Sequence, residues 1–142
     1  MARLQFNKMC ISLRTALKTH TLLFSLLLLV AIDQLVKYLV LRLNFVPVVY
    51  NSGFAFGLGE GAWPLVLIAF ILFLFFFRHE SNHFSYWLVV SGGVGNILDR
   101  VIYGGRVVDF IHFFGLVSFN LSDVYIVLGI LWFGLRVARK TQ

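Results

Sequence analysis

The sequence predicts an all-α membrane fold of four transmembrane helices, and three observations carry that expectation. Of the 142 residues, 60% are hydrophobic and only 13% are charged; soluble domains run to about half apolar and about a quarter charged. The apolar residues fall in long blocks, as they do in helices that cross a bilayer. Basic residues sit at the edges of those blocks. A span takes about 20 residues, so four use roughly 80 and leave about 60 for loops and tails, with no room for a separate soluble domain. The composition excludes disorder and a collagen-like repeat, and the single Cys excludes a disulfide scaffold. The net charge of +6 does not indicate nucleic acid, because membrane topology alone explains where the basic residues stand.

Residues 1–20 are mixed and carry Arg3, Lys8, Arg14 and Lys18. They read as a cytoplasmic tail or a short interfacial helix, with Cys10 an unpaired thiol. The first span is expected over residues 21–41. Its apolar part is long, it holds Asp33 and Lys37, and no small-residue cleavage site follows. It therefore reads as a retained span and not a signal peptide. Residues 42–61 hold Pro47, four glycines and the stretch "FVPVVYNSGFAFG". Val, Tyr and Phe between turn residues predict short strands outside the bilayer core.

The second span, 63–77, opens on Trp63 and Pro64, and Pro suits a first helical turn. After the polar turn "RHESNH" comes the third span, 84–103, with "SGGVGN" and then Asp99 and Arg100. Its glycines let another helix approach closely, and Gly104-Gly105 closes it. A strand-like "RVVDFIHF" and a turn at Gly115 lead to the fourth span, 121–138.

Placing both termini inside puts eight of the twelve Lys and Arg residues on cytoplasmic parts, namely Arg3, Lys8, Arg14, Lys18, Arg78, Arg136, Arg139 and Lys140. That satisfies the positive-inside rule. Five of the six acidic residues then fall in the outer half, with Glu80 the exception. An ionisable group inside a span costs several kcal/mol unless paired or wet. So many at one depth predict a single polar site near the outer surface.

Each polar group also has a plain structural role open to it. Asp33 and Lys37 stand i, i+4 and can pair. Asn96, Asp99 and Arg100 share a helix face, and the last two could be interfacial groups at a helix end. Asn120 and Asp123 fit a helix cap followed by an acid three residues on. Asp109 is harder to explain structurally, because it interrupts the apolar run "VVDFIHFF". His112 could join nearby Asp residues in a metal site, or simply orient a neighbour. Two carboxylates brought close cannot both ionise easily, so such a pair holds one proton. The ionised partner can take a proton from water, and the protonated one can give a proton to a carbonyl oxygen. A start-of-helix position favours the ionised form of Asp123; which Asp holds the proton stays open.

Taken in order, "DQLVK", "YNSGFAFG", "GGVGNILDR", "VVDF" and "FNLSD" resemble the lipoprotein signal peptidase (signal peptidase II) family, across Asp33 to Asp123. The resemblance implies an intramembrane aspartyl endopeptidase of the bacterial inner membrane. Such an enzyme cuts the signal peptide from lipoprotein precursors just before a diacylglyceryl-bearing Cys. It implies Asp109 and Asp123 as the catalytic pair, without metal or cofactor. Asp33, Lys37, Asn51, Gly53, Asn96, Asp99, Arg100 and Asn120 match the family's supporting positions. A small β-cradle in the first outer loop is implied too. Ser122 departs from the Ala usual there. The expected partners are lipidated prolipoprotein and membrane lipid, with the enzyme a monomer. A proton- or ion-coupled transporter remains the alternative, though it would normally need polar groups reaching both faces. A structural or assembly subunit is a further rival that leaves Asp109 unexplained.

Overall fold

A computed structural model describes the backbone of residues 2–53 and 63–140, and the side chains of 17–53 and 63–139. Four helices dominate it: α1 (Ala2–Leu43), α2 (Trp63–Phe77), α3 (Phe84–Ile102) and α4 (Leu121–Lys140). The order is the expected one. The glycines and aromatics of 54–62, including Phe54 and Phe56 of the expected strand segment, lie outside the described residues.

α1 differs from expectation at its start. It is one continuous helix of 42 residues, about 63 Å long at 1.5 Å per residue. The basic tail is thus helical and continuous with the span, whose apolar part is Leu17–Leu43. The reason is local: neither Gly nor Pro occurs before Pro47, so nothing interrupts the helix. It ends where Asn44 adopts a left-handed conformation (φ 53°), with its N–H on Val40 O at 3.0 Å. Asn tolerates that conformation at a helix end.

Three helical stretches, Leu17–Leu43, Trp63–Glu80 and Leu121–Arg139, are long and apolar enough to cross a membrane. α3 is of similar length but falls outside that set. One of its faces carries Ser85, Ser91, Asn96, Asp99 and Arg100, all buried. It packs chiefly on α4 and next on α1, so protein covers the polar face. Close approach depends on small residues, as expected. A Cβ on Gly92 would strike the Ser122 carbonyl and Ile126, and one on Gly95 would strike the Ser122 hydroxyl. α2 leans on the bundle through rings, Phe73 on Tyr86 at 5.6 Å and Phe77 on Phe133 at 6.0 Å. At one end of the bundle Arg136 of α4 pairs with Glu80 after α2.

The polar site lies at the other end, under two small antiparallel sheets. β1 (Val49–Asn51) pairs with β2 (Val107–Asp109), Val49 opposite Asp109 and Asn51 opposite Val107. β3 (Ile111–Phe113) pairs with β4 (Val117–Phe119) across a tight turn at Phe114 and Gly115, both with positive φ. Small strands are thus present as expected, but they are drawn from two loops. Among the described residues the first loop supplies only β1, and the loop between α3 and α4 supplies the other three strands. β2 is fully buried while β1 is half-exposed, so β1 acts as a cover on β2. Gly104, at φ 62°, turns the chain sharply off α3, and Gly105 N–H caps Arg100 O at 2.7 Å. That left-handed turn is easy for Gly, and it folds β2 back over the bundle end.

Candidate active site

Asn120 is the residue on which the site is built. It precedes α4, and its side-chain Oδ1 accepts from Asp123 N–H at 3.1 Å. Asp123 Oδ2 in turn accepts from Asn120 N–H at 3.1 Å. This reciprocal pair is the capping box that the spacing predicts. Because its oxygen is used on the helix, Asn120 turns Nδ2 the other way, donating to Asp109 Oδ1 at 2.7 Å. One amide therefore touches both acidic residues. The second oxygen of Asp109 accepts from Asn51 Nδ2 at 3.1 Å. Asn51 is oriented likewise, since its Oδ1 accepts from Gly53 N–H at 2.9 Å. Asn96 Nδ2 donates to Asp123 Oδ1 at 2.8 Å.

The two carboxyls sit in unlike surroundings. Asp109 is 2% exposed, whereas Asp123 is only half-buried. Burial pushes the Asp109 carboxyl up to about 6, and the nearby charge of Asp123 adds to the rise. The amides of Asn120 and Asn51 and the Lys37 ammonium pull the other way without cancelling it. Asp109 can thus exchange a proton near neutrality, as a general acid or base needs to.

Arg100 is 7% exposed, which removes its reading as an interfacial group at a helix end. It donates through Nη1 to Asn96 O and through Nη2 to Gly53 O, both at 3.0 Å. It links α3 to the chain just after β1, and its charge is felt by Asp123, Asp109 and Asp99.

Beneath these lies a second polar layer. Lys37 Nζ pairs with Asp33 Oδ2 at 2.7 Å, as the i, i+4 spacing predicts, and with Asp99 Oδ2 at 2.8 Å. All three side chains are within 1% of complete burial. Asp99 is likewise no interfacial group. Asp33, Lys37, Asn51, Gly53, Asn96, Asp99, Arg100, Asp109, Asn120 and Asp123 are therefore drawn into one assembly. Gln34 was not anticipated: its Nε2 donates to Asp99 Oδ1 at 2.8 Å. Its signal was a polar side chain inside the apolar "AIDQLV". Ser122 places a buried hydroxyl without a hydrogen-bond partner among the described residues. His112 has both ring nitrogens engaged, Nδ1 with Ser118 Oγ and Nε2 donating to Pro47 O, each at 2.8 Å. It pins the first loop to the β3–β4 hairpin. Among the described residues no three His, Cys, Asp or Glu side chains are grouped to hold a metal ion.

A family model described as signal peptidase (SPase) II matches residues 25–139, which include every residue of this assembly. The chain belongs to the signal peptidase II family. It is 36% identical over 148 residues to the lipoprotein signal peptidase of Thermodesulfovibrio yellowstonii, covering 88% of this chain and 99% of that one. To the lipoprotein signal peptidase of Brucella ovis it is 33% identical over 133 residues, covering 75% of this chain and 82% of that one. Two solved bacterial membrane enzymes share the fold. One, at 2.3 Å resolution, superposes with a TM-score of 0.76 and 22% identity, covering 87% of this chain and 90% of that one. The other, at 1.9 Å, gives 0.71 and 22%, covering 83% and 92%. Membership of a peptidase family leaves the transporter reading without support.

Proposed function

We propose that this chain is an aspartyl endopeptidase that removes the signal peptide from lipoprotein precursors, with Asp109 and Asp123 as its catalytic pair. The observation that carries the reading is Asn120, whose one side chain contacts Asp109 and Asp123 together. Asp109, deeply buried and pushed up to about 6, is the proton holder. Asp123, more open to water, is the base. It takes a proton from water as the water oxygen bonds to the scissile carbonyl carbon, and Asp109 gives its proton to the carbonyl oxygen. The C–N bond of the resulting diol then breaks. Asp123 returns its proton to the leaving nitrogen, and Asp109 recovers one from the diol, so the pair ends with the single proton it began with.

Asn51, Asn96 and Asn120 orient the pair. Asp33, Lys37, Asp99, Arg100 and Gly53 support those residues. The chain forms one integral membrane domain of four spans in the bacterial inner membrane. α3 is the third of these spans, its polar face covered by α1 and α4. Both termini are cytoplasmic, and the site opens near the outer surface. The charge bias of the sequence supports that orientation. The cut falls just before a Cys bearing diacylglycerol, whose acyl chains stay in the outer leaflet, since moving them into water costs about 0.8 kcal/mol per CH₂.

The experiment is cleavage of a lipidated precursor by the purified protein in detergent, with Asp109→Asn and Asp123→Asn beside it. Each variant is expected to stay folded and lose at least about 10²-fold in rate, the low end of a general acid–base contribution. The losses do not add in the double variant, because the pair acts as a unit. Activity retained in either variant removes that residue from the chemistry. Equal cleavage of lipidated and unlipidated precursor removes the lipid from recognition.

A further inference from the structure

Asp109 and Asp123 are each preceded by a backbone N–H held by a buried carboxylate. Ser122 N–H, one residue before Asp123, donates to Asp33 Oδ1 at 3.0 Å. Val108 N–H, one residue before Asp109, donates to Asp99 Oδ2 at 3.0 Å. The remaining oxygen of Asp33 and the same Oδ2 of Asp99 meet on Lys37 Nζ, at 2.7 and 2.8 Å. A chain of four short contacts therefore runs from the backbone of α4, through α1, to the backbone of β2, with one ammonium at its centre.

We infer that Lys37 is a positioning residue that sets the separation of Asp109 and Asp123 by drawing Asp33 and Asp99 onto one charge. The inference rests on Asp109 and Asp123 being the catalytic pair. α4 and β2 are joined by a turn and a hairpin, and only three-residue strands brace that stretch. Covalent linkage alone leaves their approach soft. Two carboxylates at short range repel, so something has to hold them in register. Bonds to the preceding N–H groups do so without occupying the carboxyls, which keep their oxygens for Asn120, Asn51, Asn96 and the reacting groups. Burial keeps water from competing for the ammonium. A plain ion pair on α1 would need Asp33 alone; the second acid and the two backbone N–H groups are what a spacing role requires.

The test compares Lys37→Met and Asp33→Asn with the native protein in full-chain form, normalised to folded protein. Asn at position 33 still offers an oxygen to Ser122 N–H but drops the ion pair, so it serves if the Met variant does not fold. A misplacement on the order of 1 Å costs about 10²-fold, so kcat is expected to fall about that much in Lys37→Met and less in Asp33→Asn, with KM little changed. Like charges farther apart split their titrations less, so the two limbs of the pH–rate profile also draw together. The groups facing the pair across the site, Arg100 and Lys37, are otherwise unchanged in Asp33→Asn. Native kcat and native limb spacing in whichever variant folds overturns the inference. Asp109→Asn and Asp123→Asn run alongside separate the two readings. If both are inactive while the Lys37 variant is native-like, only the spacing role fails; if either is active, the catalytic pair itself fails.

Discussion

Asn120 caps α4 with its side-chain oxygen and grips Asp109 with its side-chain nitrogen, at 2.7 Å. The two tasks can be separated by substitution. Ser is as good an N-cap as Asn, whereas Ala costs about 1 kcal/mol. Both substitutions are expected to lower the melting temperature, since each leaves a buried Asp109 oxygen without its donor, and Asn120→Ala to lower it further through the lost cap. Both lose the donor to Asp109, so both lose peptidase rate to a similar extent. Thermal unfolding in detergent, measured beside cleavage rate, checks this. A fully active Asn120→Ser variant would show that the amide does nothing for Asp109.

The pH dependence follows from the raised carboxyl of Asp109. Its folded value is about 6, against an ordinary 3.8, so the folded protein binds this proton more tightly than the unfolded chain does. The cost of ionising it is absent below about pH 4 and is incurred as pH rises through about 6. That cost is at most about 3 kcal/mol, at about 1.4 kcal/mol per unit. Stability should therefore fall across this window in the native protein and less in Asp109→Asn. Because kcat/KM reports the free enzyme, it should decline above about pH 6, while a bound precursor that buries the site further moves the kcat limb higher. A kcat/KM profile flat from about pH 5 to 8 takes the proton-holding role away from Asp109.

Ser122 supplies a test of packing independent of catalysis. Its hydroxyl is buried and unpartnered among the described residues, which costs free energy that Ala would not incur. Ser122→Ala should be stabilised by about 1 kcal/mol with its N–H bond to Asp33 intact. Loss of stability in this variant would mean that the hydroxyl has a partner the described residues do not include.

Orientation can be read with a membrane-impermeant thiol reagent on a Cys10→Ala background. Leu58→Cys is expected to label in cells with a permeable outer layer, and Lys140→Cys only after lysis. The reverse pattern would invert the topology and put the site on the cytoplasmic side.

What the sequence made legible was mostly what neighbours along one helix can express. The Asn120–Asp123 cap and the Asp33–Lys37 pair follow from i, i+3 and i, i+4 geometry, and both are observed. The contact of Lys37 with Asp99 was not legible, since it joins two helices and no periodicity reports it. The β1–β2 pairing was missed for the same reason. Each strand was visible as a β-favouring stretch, but three residues carry too little pattern to specify a partner in another loop. α3 shows the converse. Its polar residues made it a poor span by composition, yet those residues are what the bundle encloses. The continuous α1 was within reach, because the absence of Gly and Pro before Pro47 was visible without any structure.

The spacing of Asp33 and Lys37 bears on how the protein is made. Synthesis runs from the N-terminus, so α1 reaches the bilayer before Asp99 of α3 or the N–H of Ser122, 89 residues past Asp33, exists. During that interval an unpaired acid and an unpaired base would each oppose insertion. Four residues apart on one helix face, they neutralise each other, so neither enters the bilayer as a lone charge. Only when α3 and α4 arrive does the ammonium take on its second carboxylate and Asp33 its backbone partner. The pair that later belongs to the finished site thus begins as the chain's own travelling counterion.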